Sequence, residues 1–129
     1  MARLIGRLAQ SPIIHVLVGA LAMGGWAFYA NSGHPMPKPL LAGLVQGALS
    51  GAITYALKRT LDALRASLRR QLGWWLPPVI ALASSLCLLN GAHWLASTPE
   101  ILRTISVPYS VASLYAITYN FLMWRNDRR

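Results

Sequence analysis

The run Leu40 to Leu57, LLAGLVQGALSGAITYAL, contains no charged residue, and this limits what the chain can be. As a helix it is about long enough to cross the apolar part of a bilayer. Gly43, Gly47 and Gly51 recur every fourth residue, so a helix stacks them on one side. Gln46, Ser50 and Thr54 lie beside them, and Lys58 continues the row. Small residues at this spacing let a second backbone come close in hydrocarbon. An amide such as Gln46 is costly there without a partner, so it is expected to face protein or a wet cavity.

Three further apolar runs follow the same logic. The spacing predicts membrane spans over about 11–30, 39–57, 76–96 and 100–124. The first is read as a retained helix because no small-residue cleavage site follows it. Ala20 and Gly24, with Gly25 beside them, offer a close-packing face, and His15 is read as structural or interfacial. Three prolines at alternate positions make residues 31–39 an extended turn. Pro39, Pro77 with Pro78, and Pro99 suit helix starts, and Ser97 or Thr98 is a candidate cap for the fourth helix. Gly73 is the expected break before the third. Pro108 predicts a kink in the fourth, with Ser106 and Ser110 near the disturbed backbone.

Charged residues make up 12% of the chain, against about 25% in a soluble domain, and mean hydropathy is +0.44. The expected fold class is therefore all-α: a polytopic membrane protein forming one domain, a four-transmembrane-helix bundle. Between helices 2 and 3 it carries a basic amphipathic segment, which either continues the spanning helix into the cytoplasm or lies at the membrane surface. There Leu57, Leu61, Leu64, Leu68 and Leu72 form a stripe, with Lys58, Arg59, Arg65, Arg69 and Arg70 off it. Arg59, Arg65, Arg69 and Arg70 are the expected contacts to the lipid surface.

The net charge is +9, but the cations sit between apolar runs, so anionic membrane lipid rather than nucleic acid is the expected partner. With four spans, ten of the twelve Lys and Arg residues fall on one side and only Lys38 and Arg103 on the other. This asymmetry predicts both termini in the cytoplasm, and a bacterial cytoplasmic (inner) membrane is the expected location. Trp74, Trp75 and Trp124 at one level and Trp26 and Trp94 at the other resemble an aromatic belt. Ala52-Ile53-Thr54-Tyr55 recurs as Ala116-Ile117-Thr118-Tyr119, a hint of two parallel hairpins. The single cysteine, Cys87, allows no internal disulfide.

Chemistry is sparse. The chain carries no phosphate-binding glycine loop, zinc-binding pair or nucleophile elbow, and Asp62, Glu100 and Asp127 all fall at or outside the span boundaries. No enzymatic activity, cofactor or metal is expected. His34, His93 and Glu100 form an expected polar cluster at the outer end, where the spacing also predicts a Glu100–Arg103 pair. Two polar seams remain. One is Gln46, Ser50, Thr54 and Lys58; the other is Arg103, Ser106, Tyr109, Ser110, Ser113 and Asn120. Face to face, they would form a mildly polar path with a cation toward each end; packing glue is the simpler use of such residues. The reading for function is a small membrane protein that binds or translocates an anionic amphiphile such as a lipid-linked phosphate, in the manner of a flippase or transporter. It is expected to act as a homo-oligomer or with a membrane-protein partner. The alternative is a non-catalytic accessory or assembly subunit of a larger membrane complex.

Overall fold

A computed structural model describes Met1 and residues 12–127, excluding the side chains of Pro12 and His15. Arg3, Arg7, Arg128 and Arg129 therefore lie outside the described residues, as does the reading of the His15 side chain. The described chain is all-helical: α1 (Pro12–Ala30), α2 (Lys38–Ser67), α3 (Leu76–Leu95) and α4 (Ile101–Asn126). Helices α2 and α3 are long and apolar enough to cross a membrane, while the apolar stretch of α1, Val16–Ala30, is shorter. The polar side chains of α4, among them Arg103, three serines and Asn120, dilute its apolar character.

The glycine seam of α2 lies against α1. A Cβ placed on Gly24 would come 2.7 Å from the carbonyl oxygen of Gly43, and one on Gly47 would come 3.2 Å from that of Ala20. The two backbones touch because Gly24, Gly43 and Gly47 carry no side chain. Gly51 meets the side chain of Val16, whereas Gly25, expected on the same face, has open space around it.

The basic half of α2 is not a separate surface helix. The helix runs unbroken through Ser67 and stops where Leu68 becomes extended, five residues before the expected break at Gly73. Leu57 and Leu61 are buried, and with Ile53 they form the core with Ala81 and Leu89 of α3 and Ile105 and Ala116 of α4. Core burial thus takes up the first half of the leucine stripe. The repeated tetrapeptides are used differently: Ile53 and Ala116 are buried, whereas Ala52 and Ile117 are exposed. The copies therefore present different faces, which removes the support for two equivalent hairpins.

Loops place the helices in two levels. The proline-loop end holds residues 31–37 and 96–100; the basic end holds residues 68–75 and the end of α4. After α3, Ser97 takes a left-handed φ of 53°. Ser97 N–H then donates to Trp94 C=O and Thr98 N–H to His93 C=O, closing the helix end with paired carbonyls. Lys38 Nζ donates to the Ser97 carbonyl at 3.2 Å, tying the start of α2 to this turn. Much apolar surface faces outward, with Leu21, Leu95, Leu102 and Leu114 each at least 70% exposed.

Gly24→Ala should destabilise the protein by about 1–3 kcal/mol, because the added methyl meets backbone that cannot step aside. Gly25→Ala should be neutral or slightly stabilising. Thermal unfolding in mild detergent compares the two; equal melting temperatures would show that α1 and α2 are not held by close approach.

Candidate functional site

Among the described residues, three polar constellations link helices that are otherwise largely apolar. The first joins α2 to α3. Gln46 and His93 are both buried, and His93 Nε2 lies 2.9 Å from Gln46 Oε1. An amide oxygen only accepts, so Nε2 carries the proton. His93 Nδ1 then accepts from the Thr98 hydroxyl at 2.9 Å, and a neutral ring satisfies both contacts. The Gln46 amide group donates to Ser50 Oγ at 3.4 Å, and Ser50 Oγ–H returns to the Gln46 carbonyl at 2.8 Å. This chain fixes the orientation of the amide. Gln46 does turn inward, as expected, and its partner is His93. The expected cluster of His34, His93 and Glu100 is therefore divided: His93 turns into the bundle, while His34 Nε2 meets Glu100 Oε1 at 2.9 Å on the surface. Glu100 pairs with His34 instead of Arg103, whose guanidinium sits 5.6 Å from the centre of the Tyr29 ring.

The second constellation joins α1 to α4. Asn31, fully buried, donates from Nδ2 to Ala27 C=O and to Thr104 Oγ1, and its Oδ1 accepts the backbone N–H of Glu100 at 3.0 Å. An amide at the end of α1 thus takes up a backbone donor at the entry to α4. Neither Ser97 nor Thr98 caps that helix through its side chain; Thr98 Oγ1 is engaged by His93 instead. Trp26 Nε1 adds a bond to the Arg103 carbonyl at 3.1 Å. The sequence signal for Asn31 was its place at the edge of an apolar run, but a turn composition hid its role.

The third lies at the basic end and is centred on Asp62. Its carboxylate accepts from Lys58 Nζ at 2.9 Å, from Arg65 at 3.2 Å and from Tyr119 O–H at 2.9 Å. Arg65 Nε also reaches Asp127 at 3.0 Å. The spacing of Lys58, Asp62 and Arg65 along one helix face carries this signal in the sequence. Arg65, with a side chain only 16% exposed, is thereby withdrawn from the lipid-surface set, whereas Arg59, Arg69 and Arg70 are exposed. Lys58 is paired and stands 5.5 Å from the Tyr119 ring centre.

Between these constellations lies an open cavity of about 290 Å³. Gln46, Ser50 and Thr54 of α2 line it, facing Val16, Ala20 and Met23 of α1. The α4 wall is Pro108, Val111, Ala112 and Tyr115, so the two polar seams do not face each other across it. Ser106, Ser110 and Ser113 bond to carbonyls of their own helix, and Tyr109 O–H reaches Leu82 C=O of α3. Asn120, buried, donates to the carbonyls of Gly73 and Trp74. Main-chain carbonyls accept from the donors of these α4 side chains, which turns them away from the cavity; the Asn120 Oδ1 is buried without a partner among the described residues. The bonds of Asn31 and Trp26 pin α1 to α4 near the proline-loop end, and the cavity lies inward of those pins. Comparison with protein-family models, curated proteins and solved structures finds no match.

His93→Leu should cost about 1–3 kcal/mol, since it leaves the Gln46 side-chain oxygen Oε1 buried without its donor. Adding Gln46→Leu should recover part of that loss, because both partners are then gone. A double-mutant cycle of unfolding free energies measures the coupling; strict additivity would show that the bond is not formed.

Proposed function

We propose that the chain is a four-span membrane protein that binds or translocates an anionic amphiphile, and that the cavity between α1, α2 and α4 receives its hydrocarbon chain. The observation that carries this reading is the cavity itself. It is open, almost wholly apolar, and bordered on α2 by the single polar strip Gln46–Ser50–Thr54. A hydrocarbon chain fits the apolar walls, and the strip runs toward the basic end.

The charge distribution supports the placement of the headgroup. Among the described residues of the basic end, Lys58, Arg59, Arg65, Arg69, Arg70 and Arg125 stand against the side-chain carboxylates of Asp62 and Asp127. The surplus positive charge favours an anion at that level, although Asp62 neutralises Lys58 itself. The same surplus supports an orientation with the basic end in the cytoplasm, by the positive-inside rule. The exposed leucines support contact with lipid around the bundle.

In this orientation, cysteines introduced at Ser32 and Ala66, both exposed, should react with impermeant reagents from opposite faces of the membrane. Reaction of both from one face would defeat the four-span arrangement.

An anionic lipid with a photoreactive group on its acyl chain should label residues of α1 and α4 that line the cavity. Ala112→Trp, which fills the space, should abolish most of that labelling. Leu114→Trp, on an exposed position of the same helix, should leave it intact. Equal labelling of both variants would overturn the proposal and favour a docking role for the bundle.

A further inference from the structure

A second hollow, of about 750 Å³, lies at the basic end away from the cavity already described. Arg70, Gln71, Trp74, Phe121 and Trp124 line it. Its walls come from two parts of the chain: the loop between α2 and α3, and the last turns of α4. Cross-links hold these parts together. Trp124 Nε1 donates to the Arg70 carbonyl at 3.2 Å, and Asn120 Nδ2 donates to the carbonyls of Gly73 and Trp74 at 3.0 Å each. The Phe121 and Trp124 rings lie 6.0 Å apart, tilted against one another. The hollow is therefore built before any ligand arrives.

Its charge points to the ligand. The chain has three acidic side chains, and each is engaged elsewhere. Asp62 meets Lys58 and Arg65, Asp127 meets Arg65, and Glu100 meets His34 at the opposite end. Among the described residues no acidic side chain pairs with Arg70, which leaves its guanidinium available to an anion. A guanidinium presents paired donors to phosphate oxygens, and indole rings favour the level where headgroups meet acyl chains.

We infer that Arg70, Gln71, Trp74, Phe121 and Trp124 form a binding site for the phosphate-bearing headgroup of an anionic membrane phospholipid. Arg70 holds the phosphate, Gln71 supplies a further polar contact, and the three rings pack against the glycerol and upper acyl carbons. The site rests on the membrane reading above but not on the hydrocarbon cavity.

Native mass spectrometry of the full chain in neutral detergent, titrated with phosphatidylglycerol, tests it. Arg70→Gln should weaken binding of one phosphatidylglycerol by about tenfold or more, as loss of a charge-assisted pair requires. Lys38→Gln, which removes a cation at the opposite end of the bundle, should change it by no more than about twofold. Trp74→Leu should also weaken it while Arg70 stays in place. Ala112→Trp should leave this binding intact, which separates failure here from failure of the cavity reading. Equal effects of Arg70→Gln and Lys38→Gln would overturn the site, as would equal binding of phosphatidylcholine. Displacement by excess inorganic phosphate would overturn the lipid source and assign a free-anion site. Far-ultraviolet circular dichroism of each variant confirms that the helices are retained.

Discussion

The contact of backbone with backbone between α1 and α2 is the constraint on which the other features rest. Where Gly24 meets Gly43, the space left for a side chain is smaller than a methyl group requires. Such closeness gives many small dispersion contacts and no side-chain entropy to lose. It also fixes the rotation of α2. With the glycines turned to α1, Gln46 turns to α3 and Leu57 and Leu61 turn to the core. One helix therefore meets three neighbours with three kinds of surface: bare backbone, a polar amide and branched hydrocarbon.

Polar groups then decide where the bundle is tight and where it opens. Asn31 and Trp26 hold α1 to α4 near one end, and Gln46 with His93 holds α2 to α3. Among the described residues, no equivalent cross-link between α1 and α4 occurs along the stretch that lines the cavity. There the walls are small or apolar residues, among them Gly19, Ala20, Val111 and Ala112. In a low-dielectric interior each satisfied amide resists separation, because opening would leave donors and acceptors bare. The open region is thus the part of the α1–α4 contact where that penalty is absent.

Much of the fold was legible in the sequence because it depends on local periodicity. Helix positions follow from the apolar runs, the prolines at helix starts and the glycine spacing. The inward turn of Gln46 follows from the cost of an unpaired amide. Partners in space were harder to read. Asn31, His93 and Asn120 each bond to groups more than forty residues away or across a loop, and no local pattern identifies those groups. The face of α4 shows a related limit. A serine row suggests a polar seam, but a helix can satisfy serine hydroxyls with its own carbonyls, as Ser106, Ser110 and Ser113 show. Asp62 was accessible in principle from its spacing to Lys58 and Arg65, while the contact with Tyr119 required the fold.

The bond from Glu100 N–H to Asn31 Oδ1 has a consequence for biogenesis. Helices ordinarily find their capping groups in the residues just before them. Here the acceptor belongs to a segment made 69 residues earlier. A ribosome releases α1 and α2 first, so the receptor for α4 already exists when α4 emerges. Synthesis from the N-terminus makes the acceptor before the donor, so the order of synthesis matches the order in which this pair is needed. A circularly rearranged chain, with α4 made before α1, would have to shelter that backbone amide by some other means until its partner arrived.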